Sequence, residues 1–281
     1  NCKGPYGSGI NTYYKPEGLV QEYSSSIRFG AMGYLNQSGQ DRNGGVLRAR
    51  MKSVGATLIG EGNGANSNKE WGTDGILFAN PDPVDATASG VAQSGLINYI
   101  NLFGYAAGYK GNDPVSELYY AAQLYLRNQS FPANYTDDLN AARLDGFPVI
   151  SNFTDPIIRS CQKNFILGLG DIYTHCDGNL PGSPSTGGAT CPGVSPTDPN
   201  GLNVGTLWDS VTAMHGTTAW VGGSTAGRPY MAGLAWWGNV NDVRPDLSGK
   251  QSIATYWVDV LENNNGGTGI AAQSQFWLAA K

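Results

Sequence analysis

One run of eight residues, Asn164-Phe165-Ile166-Leu167-Gly168-Leu169-Gly170-Asp171, narrows the possible folds more than any other part of the chain. Apolar side chains and glycines follow one another with no polar residue at alternate positions. The run therefore predicts a strand buried on both faces, as in a parallel sheet, and such a sheet needs helices over its faces. Helix signals are present. Asp113-Pro114 offers a capping side chain followed by a proline suited to a first turn, and the expected helix ends near Asn128. Within it Val115, Leu118, Tyr119, Ala122, Tyr125 and Leu126 form one stripe at helical spacing.

The same reasoning predicts a short helix across 15–23, a strand at 27–34 with a hairpin partner at 46–50, and a helix across 94–103. Further helices are expected at 228–237 and 274–280, and a strand at 254–261. Helices alternate with strands, so the expected class is α/β: one mixed sheet that holds the runs ending at Tyr34, Asp171 and Leu261, flanked by helices. We expect a single domain over 1–281, with long loop insertions at about 60–93, 129–157 and 177–225, where Gly, Pro, Asn and Ser accumulate.

Composition limits the function. Charged residues make up 14% of the 281 and the net charge is -5, with no basic cluster, which argues against nucleic acid as a partner. No apolar window is long enough to span a bilayer. The chain opens at Asn1-Cys2-Lys3 without a signal peptide, as a mature form or an excised fragment would. Cys176 and Cys191 bracket a segment rich in Gly, Pro, Ser and Thr, as in a stapled loop, which leaves Cys2 and Cys161 as a second pair. This pairing is one of three connectivities, and paired cysteines imply an oxidising compartment outside the cytoplasm.

Asp171 directly follows the buried strand, where α/β folds place ligand groups, and could offer hard oxygen to calcium or magnesium. Asp177 lies six residues on with His175 between them, and Asp113 could add oxygen from its helix start; the bland alternative for Asp113 is a helix cap. His175 and His215 are the only histidines. Neither is preceded by a Gly-x-Ser-x-Gly elbow, so no catalytic triad is expected and the chain reads as a non-enzyme. Trp236 and Trp237 are adjacent; as core residues they would bury large apolar areas, and if exposed they could form a binding surface.

Several blocks, in order along the chain, resemble the amino-terminal half of the PilC/PilY type IV pilus tip-associated adhesin and biogenesis family. They include Tyr14-Lys15-Pro16-Glu17-Gly18-Leu19, Ile27-Arg28-Phe29-Gly30 with Tyr34, and Gly44-Gly45-Val46-Leu47-Arg48. Asp113-Pro114-Val115-Ser116-Glu117-Leu118-Tyr119-Tyr120, Cys161-Gln162-Lys163-Asn164-Phe165-Ile166-Leu167 and Asn241-Asp242-Val243-Arg244-Pro245-Asp246-Leu247 continue the series. The resemblance implies a von Willebrand factor A-like domain carried at a pilus tip or cell surface, working in adhesion and pilus biogenesis through pilus proteins or a host receptor. Two departures stand out. The family's β-propeller is absent, and no Asp-x-Ser-x-Ser metal loop follows a first strand, so that strand is expected to be missing. A structural subunit of an extracellular filament and a secreted carbohydrate-binding protein are the rival expectations.

Overall fold

The structure is a computed structural model that describes residues 2–6, 8–35, 44–62, 64–172, 174–183, 193–216, 229–260 and 274–280. Strands β1 (Cys2–Tyr6) and β2 (Tyr13–Pro16) form an antiparallel pair. The short helix α1 (Leu19–Glu22) follows. The helix expected across 15–23 is thus cut to one turn, because Pro16, which has no amide hydrogen to give, ends β2 instead. Strands β3 (Phe29–Gly33) and β4 (Val46–Lys52) pair antiparallel with register irregularities, which bears out the expected hairpin.

Helices α2 (Pro83–Ser89) and α3 (Leu96–Leu102) come next. The first lies inside the segment expected to be a surface loop, and its Asp85 makes a bidentate pair with Arg50 of β4. Nearby, the buried Glu70 accepts from the backbone of Leu96 and Ile97 at 2.8 Å each, so this segment is tied to the body by its acids.

Helix α4 (Val115–Leu126) is the centre of the molecule. The single-stripe expectation understates it, for every residue except Leu118 is buried. Its polar residues find partners in the core: Gln123 donates to Leu234 O at 2.7 Å, and the Ser116 hydroxyl accepts from Met231 N at 3.1 Å. The helix touches β3 and β4 on one side and the carboxy-terminal elements on the other. After it come the one-turn helix α5 (Ala141–Leu144), β5 (Asn164–Gly170), α6 (Val204–His215), α7 (Tyr230–Val240), β6 (Ile253–Asp259) and α8 (Gln275–Ala280). Helix α6 falls in the insertion expected to be irregular; Asn203 caps it by accepting from Thr206 N.

β5 and β6 run parallel in unbroken register from Asn164↔Ile253 to Gly170↔Asp259, as the apolar run predicts. Two other expectations fail here. Among the described residues the sheets are three separate two-stranded pairs, so β3 does not join β5 and β6. Helix α4 stands between the two pairs and takes the contacts a continuous sheet would have made.

Nor is β5 buried on both faces. Ile166, Gly168, Thr255 and Trp257 face α4, α7 and α8, while Phe165, Leu167, Leu169, Tyr256 and Val258 lie on the opposite face, 50%, 63%, 68%, 58% and 48% exposed. The glycines of β5 belong to the inner face. Trp257 stacks on Phe276 of α8 with ring centroids 4.4 Å apart, and a Cβ on Gly168 would lie 2.0 Å from the Trp257 ring. We therefore expect Gly168→Ala to force the indole off its stack and to lower stability by about 1–3 kcal/mol, read from the denaturant midpoint.

Candidate functional site

The carboxyl end of β5 is where the sequence places its candidate ligands, and there the structure builds a clamp. Residues 174–180 cross the first turn of α4 and bond to it repeatedly. Thr174 Oγ1 accepts from Val115 N at 3.1 Å, and Asp177 Oδ1 accepts from Ser116 N at 2.9 Å and Glu117 N at 3.2 Å. The helix gives a side chain in return. Glu117 Oε1 accepts from Asn179 N at 2.7 Å, and its Oε2 accepts from Gly44 N, just ahead of β4. A carboxylate set against the free amides of a first turn also meets the positive end of the helix dipole. The helix start is thus satisfied by a residue some sixty positions away.

This arrangement corrects the sequence reading of Asp113. The cap position belongs to Pro114 and carries no side-chain cap. Asp113 instead meets His175, Oδ1 to Nδ1 at 2.6 Å, while its carbonyl accepts from His175 N at 3.0 Å. Asp177 and Glu117 are fully buried and face each other. Burial, then their mutual repulsion, pushes the Asp177 carboxyl well above its ordinary value. Burial likewise raises Glu117, against the hydrogen bonds from Asn179 and Gly44 and the charge of Lys110. Desolvation, then the charges of Asp113, Asp177, Glu117 and Asp171, pushes the Tyr34 phenol well above its usual range.

The three expected metal ligands, Asp171, Asp177 and Asp113, are therefore brought into one neighbourhood, but not as a metal site. Among the described residues no group of three or more acidic, histidine or cysteine side chains is placed to hold a metal ion. The donor set does not fit a divalent cation, because both oxygens of Asp177 accept from backbone amides and from the Thr174 hydroxyl, and Asp113 is engaged by His175. Sequence reasoning missed Glu117, Thr174 and Asn179. The only available signal was Glu117 in a first helical turn, which ordinarily faces water.

Two further expectations change. Cys161 is exposed and free, so the expected Cys2–Cys161 bridge is not formed; Cys161 sits in the turn that leads into β5. Cys176 is disulfide-bonded, and its expected partner Cys191 lies outside the described residues. Trp236 and Trp237 are partly buried against the core, and the Arg127 guanidinium lies 5.2 Å from the Trp237 ring centroid. Both lie toward the end of α7 that is not fully buried, while Tyr230 to Ala235 and Gly238 are buried.

No protein-family model matches the chain, and no solved structure matches it. Over 100% of its length, in an alignment of 312 positions, it is 38% identical to the type IV pilus biogenesis factor PilY1 homolog of Xylella fastidiosa strain Temecula1. The chain is PilY1-like throughout. It spans 25% of the length of that relative. Within this PilY1-like chain, no helix among the described residues is long and apolar enough to cross a membrane. The clamp at the end of β5 holds residues 174–180 of this PilY1-like chain against the first turn of α4, near Tyr34, with Asp171 and His175 partly exposed.

Proposed function

We propose that the chain is a module of a type IV pilus biogenesis protein, acting outside the cytoplasm, at the cell surface or pilus tip, by protein–protein contact and not by catalysis. The full-length similarity to the PilY1 homolog carries this reading. The disulfide at Cys176 supports an oxidising compartment. The mixed α/β body, with a parallel pair packed on helices, supports a von Willebrand factor A-like core, and the segments that surround it offer surface for pilus proteins or a receptor.

The test is genetic. Removing these 281 residues in frame from the parent gene should reduce sheared surface pili and twitching zones to the level of a strain lacking the whole gene. Piliation and twitching at wild-type levels, with the shortened protein present at normal abundance, would refute the assignment.

A further inference from the structure

We propose that the stretch from Thr174 to Asn179 is a strap that rising pH releases from the first turn of α4. The device goes beyond the pilus reading and does not rest on it. Its basis is a cluster in which two acids hold one contact from opposite sides. Asp177, on the strap, accepts from Ser116 N and Glu117 N of the helix. Glu117, on the helix, accepts from Asn179 N and from the Asn179 side-chain amide, Nδ2 to Oε1 at 3.1 Å. Each carboxylate alone is well served by donors. Both side chains are 0% exposed, however, and two like charges set side by side away from water repel strongly. The closed contact therefore favours at most one charge on the pair, and ionising both favours the state in which water reaches them. Burial holds both carboxyls above their ordinary values, and repulsion from Glu117 adds to the effect at Asp177.

The backbone of the strap is itself poised to leave. Cys176 and Asp177 have φ of +70° and +47°, a left-handed conformation that side chains rarely adopt unless their surroundings impose it. Among the described residues no other two neighbouring non-glycine residues share it. Leu180, 0% exposed in the main core, anchors the end of the strap, so opening is a local event and not the start of unfolding. Because the folded values are raised, closure is complete below the ordinary carboxylate value and is lost as pH rises through the raised one.

Five further groups face the pair. Lys110 and Asp113 precede α4, Asp171 follows β5, Tyr34 follows β3 and His175 lies on the strap. Lys110 favours charge on Glu117, whereas the four acids together keep the Tyr34 phenol neutral. His175 Nδ1 meets Asp113 Oδ1 at 2.6 Å, and any proton it carries also leaves as pH rises.

The experiment is hydrogen exchange of the 281-residue chain, read by mass spectrometry at about pH 5.5 and about pH 8.5 and corrected for the intrinsic rate at each. The amides of residues 174–179, with those of Ser116 and Glu117, should lose protection by more than about tenfold at the higher pH, while the amides of β5 and β6 keep theirs. Asp177→Asn keeps an acceptor and cannot ionise, so it should abolish the loss. Glu117→Gln should do the same and serves if the first variant does not fold. His175→Gln should leave the loss in place. Protection unchanged with pH in the wild type, a loss shared by the whole chain, a loss that survives in either folded carboxamide variant, or one that vanishes in His175→Gln would overturn the proposal.

Discussion

Asp198→Ala is expected to lower the stability of the chain by about 3–5 kcal/mol, the largest effect of any single substitution considered. Arg127, at the end of α4, forks onto Asp198 with both bonds at 2.8 Å, and the two side chains are 1% and 0% exposed. Burial opposes the charge on Asp198, but the hydrogen bonds and charge of Arg127 hold its carboxyl below the ordinary value. The carboxylate also accepts from the Tyr120 hydroxyl at 2.7 Å and from the backbone of Asn200 and Leu202. Truncation leaves a guanidinium in the core with no counter-charge, and several donors without an acceptor. Removing both charges with apolar residues, Arg127→Met with Asp198→Leu, should cost less than Asp198→Ala alone, because only the donors from Tyr120, Asn200 and Leu202 are then left without their acceptor. Urea midpoints of the single and double variants check this.

The second large effect belongs to the clamp. Asp177→Ala should cost about 2–3 kcal/mol, because it strips the acceptor from two first-turn amides and from Thr174, offset in part by relief of the repulsion from Glu117. Asp177→Asn keeps an acceptor and removes the charge, so its cost at neutral pH should be smaller.

The clamp also has a pH signature. The folded chain holds protons on Asp177 and Glu117 at pH values where the unfolded chain has released them. Their stabilising contribution is complete below the ordinary carboxylate value and is lost as pH rises through the raised folded value. The urea midpoint should therefore be higher at about pH 5 than at about pH 7.5, and the difference should shrink in Asp177→Asn. Lys110, Asp113 and Asp171 are further charges near this site, and His175, paired with Asp113, adds one when protonated. The lowered Asp198 works in the opposite sense, but only as pH falls through its own folded value, below the ordinary range.

Local signals were legible and distant ones were not. Periodicity located α4, the β3–β4 hairpin and the β5–β6 runs, because each depends on side chains close together in sequence. The start of α4 misled for the opposite reason: Asp113 has the right residue type at the right offset, yet the amides are met by Asp177 from another segment. The apolar run 164–171 predicted parallel pairing correctly but not the bare face, since a strand with apolar residues on both sides reads the same whether or not a second layer covers it. Loop composition hid α2 and α6, whose small and polar residues, and the glycines around them, resemble a linker until Asp85 and the Asn203 cap take partners. The predicted divalent site rested on three carboxylates in proximity. Proximity was achieved, but backbone amides and the Thr174 hydroxyl engage Asp177 and His175 engages Asp113.

The parallel register also bears on how the chain reaches its native state. The Trp257 indole donates to Gly170 O across a separation of 87 residues, and no hairpin can bring such strands together. Helices α4, α6 and α7 are built from contacts close in sequence and can form early, whereas β5 and β6 must wait for the long excursion between them to close. Refolding should therefore be paced by this late closure, with the Trp257–Phe276 stack, visible as a change in indole fluorescence, among the last contacts to appear.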